Sequence, residues 1–422
     1  IYNLVNKQSK KVHIVGSGVS GFIAATVLEK NGISPIIIEA SERVGGRIKT
    51  DITDGYQLDH GFQVLLSSYK AAKKYLNFQD LELQTLKAGA CIFKDGKKIS
   101  FGDALRDPTL LFSTLFSNIG TIKDKIKIAK LNFKLQKKSI VSIFATKEVS
   151  TDQYLKDFGF SNKIIDHFFL PFFNGIFLET GLKTSSRMFE FIFKKFGEGS
   201  ATIPKNGMEQ ISKQLKNNLK NTTFYFNTKV IAIENQQIKL SNKKNINSEY
   251  TIIATDPNKI ISNLNNQNIE WKSCYNLYFT TKIKIIKKAF IGLITNKESL
   301  INNIFYPTSI PTKSKGSCEL LSVTVVKSHN LSEVELINQV QKELHELCNI
   351  TDLKFLKLYH ITKALPQINN VQYELSPSET KLKDGIYLAG DVLLNGSLNA
   401  AILAGENAAK GVLEAINKTV IN

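Results

Sequence analysis

The sequence predicts an α/β chain in which a parallel sheet, assembled from separated strands, is interrupted by mixed α+β material. Three observations predict it: a βαβ unit in the opening 40 residues, the return of strand–helix alternation near residue 203, and a late apolar strand running into a small-residue helix. Residues 12–15 form a short apolar run that ends in glycines. Residues 22–30 read as a helix closed by Asn31-Gly32, the glycine suiting the left-handed position just past a helix end. The run 35–39, Pro-Ile-Ile-Ile-Glu, is β-branched and unbroken, as in parallel strands buried on both faces.

Residues 105–145 then read as long helices with lysine-rich faces around Ile126, Ile128, Leu131 and Leu135, and helical, aromatic material continues over 151–196. Alternation resumes at Ile203-Pro204, with a helix over 208–219 and strands over 224–233 and 250–254. Residues 271–365 read mostly as alternating strands, and the tail adds a strand at 385–388 and a helix at 398–414. The expected division is a discontinuous nucleotide domain, 1–75, 198–262 and 375–422, and a substrate domain built from the insertions 76–197 and 263–374.

The 422 residues allow two or three domains, and 42% hydrophobic with 22% charged residues excludes collagen-like or largely disordered material. The formal charge of +18 rests on 51 Lys and only 4 Arg. Readers of bases and phosphates lean on the arginine fork, so no nucleic-acid partner is expected. Cys91, Cys274, Cys318 and Cys348 are widely spaced without C-x-x-C, which suggests no metal site or dithiol pair and fits a reduced, cytoplasmic setting. Residues 1–9 lack an apolar leader core, and no run approaches about 18 uninterrupted apolar residues. The sequence opens at Ile1, compatible with a trimmed terminus.

Gly16-Ser17-Gly18-Val19-Ser20-Gly21 is a G-x-G-x-x-G turn between strand and helix. Gly16 permits the tight turn, Gly18 lets a pyrophosphate approach the backbone, Gly21 lets helix and strand pack, and the helix N-terminus offers free N–H groups. Glu39 follows Gly21 at the spacing of a carboxylate that accepts from ribose hydroxyls. Next comes Glu39-Ala40-Ser41-Glu42-Arg43-Val44-Gly45-Gly46-Arg47, which places two of the four arginines beside two glycines. A guanidinium holds a diphosphate with paired hydrogen bonds that lysine cannot duplicate.

This run, E-A-x-x-R-x-G-G-R behind G-x-G-x-x-G, resembles the FAD-binding amine oxidase superfamily, which includes flavin monoamine and polyamine oxidases, protoporphyrinogen oxidase and phytoene-desaturase-like enzymes. The resemblance continues at Leu58-Asp59-His60-Gly61-Phe62-Gln63, at Val230, at Ala254-Thr255-Asp256-Pro257, at Tyr387-Leu388-Ala389-Gly390-Asp391 and at residues 396–405. It implies a Rossmann-like FAD-binding domain. Gly16, Gly18, Ser20, Gly21, Glu39, Ala40, Arg43, Gly46 and Arg47 would hold the nucleotide. Gly61, Phe62 and Gln63 would run beside the flavin, Val230 would meet the adenine, and Gly390 and Asp391 would reach the ribityl or pyrophosphate region. Leu398 and Ala401 would present a helix N-terminus to flavin N1 and O2. The covalent cysteine of monoamine oxidases is replaced by Asn395, Gly396 and Ser397, so FAD is expected to be non-covalent.

The resemblance implies an oxidoreductase passing hydride from an apolar or amine-bearing small molecule to flavin N5, with dioxygen or a quinone as electron acceptor. A carotenoid or isoprenoid desaturase or isomerase is the rival enzyme reading, and a prenyl-binding carrier like the GDP-dissociation inhibitors is the rival of another class. UDP-galactopyranose mutase needs further arginines, and only Arg106 and Arg187 remain. The catalytic side chains stay unknown. The aromatics at 170–178 and 189–196 line a pocket or pack a core; Arg187 anchors a carboxylate or caps a helix. His60 reads as a packed neighbour and His13 as a structural strand residue. The lysine-studded helices over 121–145 present either a solvated face or a peripheral membrane contact.

Overall fold

The computed structural model describes residues 10–102, 110–234, 236–261, 264, 269–313 and 316–421; residues 1–9 and Arg106 lie outside them. A six-stranded sheet runs in the order Thr223–Tyr225, Ile36–Ile38, Val12–Val15, Tyr250–Ile253, Ile386–Leu388, Lys381–Lys383. Every pairing is parallel except the last. Val12–Val15 is buried at all four positions because it sits mid-sheet, with the helix Val19–Lys30 against it and Val15 packed with Val230, Ile233 and Ile238. His13 in this strand is buried and meets Ser248 Oγ at 2.8 Å; burial, with Lys11 nearby, pushes its imidazole down to about 4.

The helix Val19–Lys30 begins directly behind the glycine turn and packs along the final helix, Leu398–Ile421. The stretch read as a strand over 224–233 divides at Asn227, whose φ of +50° turns the chain. Thr223–Tyr225 joins the parallel sheet, whereas Val230–Glu234 pairs with Gln237–Leu240 in a separate three-stranded sheet.

A seven-stranded sheet takes Gly89–Lys94 and Lys97–Gly102 from the first insertion and five strands between Trp271 and Pro366 from the second. All its pairings are antiparallel save Ile291–Ile294 against Gly89–Lys94. The reading of 271–365 as mostly strands missed one element, the helix Glu333–Cys348, which buries Leu336, Val340 and Leu344 against this sheet. The Phe-rich region forms a π-helical turn at Ile165–Phe169 followed by helices Leu170–Phe177 and Ser186–Glu198. Phe169, Phe173, Phe189 and Phe191 are wholly buried there, so most of these rings are core. Among the described residues no helix is long and apolar enough to cross a membrane.

Candidate active site

The site begins at the glycine turn. Gly16 has φ +106°, and a Cβ there would lie 3.0 Å from the Ala254 carbonyl oxygen, so only glycine fits without strain. Gly18 caps the first helix in extended conformation with no side-chain cap, and a Cβ on it would meet nothing within 4 Å. The turn therefore offers an uncovered helix N-terminus to open space. Gly45 N–H donates to Ser17 O at 3.2 Å, and a Cβ on Gly46 would sit 3.3 Å from Gly18 Cα, so the second glycine pair lies on the first.

Glu39 directly follows the strand Ile36–Ile38. Burial opposes its ionisation, but the Ser41 and Ser17 N–H and hydroxyl groups donate to it at 2.7–2.8 Å and hold its carboxyl below the ordinary range. Arg47 forms an ion pair with the buried Asp391 and lies 5.2 Å from the Trp271 ring centroid. Lys363 approaches the same indole at 5.4 Å and pairs with Asp256. At the final helix, Ser20 Oγ donates to the Ala401 carbonyl at 2.8 Å, fastening the two helices side by side near their N-terminal ends.

These groups line one trough of about 1630 Å³. Its wall also includes Phe172, Ile176, Phe177, Met188, Ile192 and Phe196, with Glu148, Glu179 and Lys272 among them. Lys272 Nζ donates to Phe177 O at 2.9 Å, Glu179 Oε2 at 3.1 Å and Thr184 Oγ1 at 3.2 Å. Glu148 lies 3.8 Å from the Arg187 guanidinium. Arg187 is otherwise taken up by the Thr146 carbonyl at 2.8 Å and is not on the trough wall, while Ser185 supplies the helix cap. His60 contacts Asp51 at 2.9 Å and its ring lies 4.4 Å from that of Tyr359, tilted by 31°, so it is a braced wall residue.

Gly16, Gly18, Ser20, Glu39, Gly46, Arg47, Gly61, Phe62, Gln63, Gly390, Asp391, Leu398 and Ala401 all line the trough. Four other residues read from the sequence do not. Gly21 packs instead, since a Cβ there would fall 2.2 Å from Gly16 O. Ala40 lies outside the wall. The Arg43 guanidinium is drawn away to Asp51, with Glu209 at 3.7 Å. Val230 is buried in a small cluster with Val15, Ile38 and Ile253. Trp271, Lys272, Glu179 and Lys363 were missed as wall residues. Their partners stand about a hundred positions away, apart from the solitary tryptophan no local pattern marks them.

Residues 19–413 match the family model described as flavin containing amine oxidoreductase. Protoporphyrinogen oxidase 2 of Arabidopsis thaliana is 26% identical over 166 residues, 39% of this chain and 32% of that protein. Hydroxysqualene dehydroxylase of Rhodopseudomonas palustris is 39% identical over 69 residues, 16% of each chain. These alignments span a third or less of the curated relatives' own length. A putrescine oxidase bearing three substitutions from a redesign of its cofactor binding shares the fold, with a TM-score of 0.72 and 16% identity, covering 96% of this chain and 99% of that one. The family match defines the class of the chain, a flavin-dependent oxidoreductase. The chain belongs to the flavin-containing amine oxidoreductase family.

Proposed function

We propose that the trough holds FAD non-covalently at its glycine-lined end and a bulky, largely apolar small molecule at its phenylalanine-lined end. The volume supports this reading, because ordinary small-molecule pockets occupy roughly 300–1,000 Å³ and this one has room for a second occupant. Bound FAD supplies a hydride acceptor at N5. The chain's part is to bind and orient. The uncapped helix at Gly18 and Ser20 receives the diphosphate, Glu39 the ribose hydroxyls, and Arg47 with Asp391 the pyrophosphate and ribityl region. Leu398 and Ala401, at the start of the last helix, would help hold the flavin, and the positive end of that helix would favour negative charge beside it by about 0.3–2 kcal/mol. Domains of residues 1–75, 198–262 and 375–422, and of 76–197 and 263–374, would divide these tasks.

The observation that carries the substrate class is the state of the two carboxylates on the trough wall. Glu179 is bonded by Lys272 and Glu148 faces Arg187, so neither stands ready for an ammonium group. An apolar C–H donor, of isoprenoid or tetrapyrrole-precursor type, suits this wall better than a cationic amine. Dioxygen or a quinone would take the electrons.

The test is spectroscopic. Purified protein should show flavin absorbance released by acid as intact FAD, and Gly18→Val should reduce bound FAD at least about tenfold, its side chain projecting into the trough. Anaerobic bleaching should follow addition of an apolar donor and not of a diamine. A colourless protein that takes up no FAD contradicts the cofactor assignment, and bleaching by amines alone contradicts the substrate class.

A further inference from the structure

The helix Ile122–Lys137 carries two apolar stripes. Asp124, Leu131 and Leu135 are buried, with Ile128 packed beside them against the core. Ile122, Ile126 and Phe133 are 67%, 64% and 62% exposed, and Ala129 between them is exposed too. Each outward residue precedes an inward one by two positions, a rotation of about 200° at about 100° per residue, so the stripes lie on opposite sides. A helix meant only to cover a core carries polar residues on its outer side.

Lysines border the outer stripe. Residues 117–147 contain eight Lys and one acidic residue, Asp124, which is buried and bonded by Thr121 and Ser161. By the same rotation Lys123, Lys127, Lys130, Lys134 and Lys137 fall along one flank, and Lys137 Nζ stands 4.1 Å from the Phe133 ring centroid. Lys125 Nζ reaches the Leu115 and Ser117 carbonyls, tying in the end of the helix Leu111–Phe116 with its 82%-exposed Phe116, and Val141 in the next helix is 63% exposed. The stripe spans about 16 Å along the axis.

We propose that this face docks on a bilayer surface rich in anionic phospholipid. A narrow apolar strip sinks into the headgroup boundary while the lysines beside it remain at phosphate level, and each lysine near such a surface adds attraction without a fixed counterpart. Within residues 117–147 the one acidic side chain is the buried Asp124, so charge complementarity selects a negative leaflet over a neutral one. The docked helix packs on Ser186–Glu198, whose Met188, Ile192 and Phe196 wall the trough, so the membrane would lie one helix layer from the apolar end. The docking stands independently of the substrate class.

The experiment is co-sedimentation of the flavin-loaded full chain with unilamellar vesicles of phosphatidylcholine, with and without about a third phosphatidylglycerol. Binding is expected to the anionic vesicles only, weakening as salt is raised. Two exposed variants, Ile126→Asp/Phe133→Asp and Lys123→Glu/Lys130→Glu/Lys137→Glu, should each weaken it roughly tenfold or more, with flavin content and thermal unfolding unchanged. Wild-type protein that stays in the supernatant, or variants that bind as well as wild type, overturns the proposal. So does loss of a dimer in sedimentation velocity on changing the stripe without any vesicle binding, which would assign the face to a second copy.

Discussion

Asp51 and Asp59 stand on the two strands of one hairpin, and their carboxyls titrate in opposite directions. Burial works against both. At Asp51 the donors His60, Tyr359 and Arg43 overcome it and hold the group below the usual range. At Asp59 burial wins over the bonds from Thr50 and Met208, Glu209 adds repulsion, and the carboxyl is pushed up to about 6. The folded chain therefore holds this proton more tightly than the unfolded chain, whose group titrates near 3.8. Its contribution to stability is complete below that value and is lost as pH rises through about 6. Asp59 keeps partial solvent contact, so Asp59→Asn should gain about 1–3 kcal/mol on wild type between pH 4 and 7. Urea unfolding of both proteins across that range checks it. At this scale the sequence displayed positions that local chain geometry determines: the placement of Gly16, Gly18 and Glu39 follows from one turn and one strand end. The Arg47–Asp391 pair joins positions 344 apart, and Arg43 turns to Asp51, only eight positions on, through a local fold that the sequence does not display.

Among elements, the helix Glu333–Cys348 shows how a correct signal is overlooked. Its opening residues Glu333, Val334, Glu335 and Leu336 alternate polar and apolar as a strand would, in a region otherwise made of strands. Ser332 and Glu335 nevertheless stand three apart and form a reciprocal capping box, with Glu335 N–H donating to Ser332 Oγ at 3.4 Å and Ser332 N–H to the Glu335 carboxylate at 2.8 Å. Ser332→Ala should lower stability by about 1 kcal/mol. Guanidinium unfolding should show it as a shifted midpoint with unchanged slope. Strand continuity failed similarly at Asn227, where one left-handed residue sends two runs to different sheets. The buried parallel strands were legible because uninterrupted β-branched runs have few other uses.

Across the whole molecule, the order of the motifs was readable, whereas the closure that unites them was not. Closure depends on the first helix lying against the last. A Cβ on Gly405 would fall 2.3 Å from the Ser20 backbone oxygen, close to the Ser20–Ala401 bond. Gly405→Val should destabilise the chain by about 1–3 kcal/mol, and saturating FAD should restore part of that, because a ligand gripping both helices stabilises the joined form. Thermal unfolding with and without FAD measures both effects. The strand Ile386–Leu388 pairs with Tyr250–Ile253, which in turn pairs with Val12–Val15. A polypeptide still emerging from the ribosome therefore lacks the strand that completes this side of the sheet, and the closed trough would form only once Ile386–Leu388 has joined it.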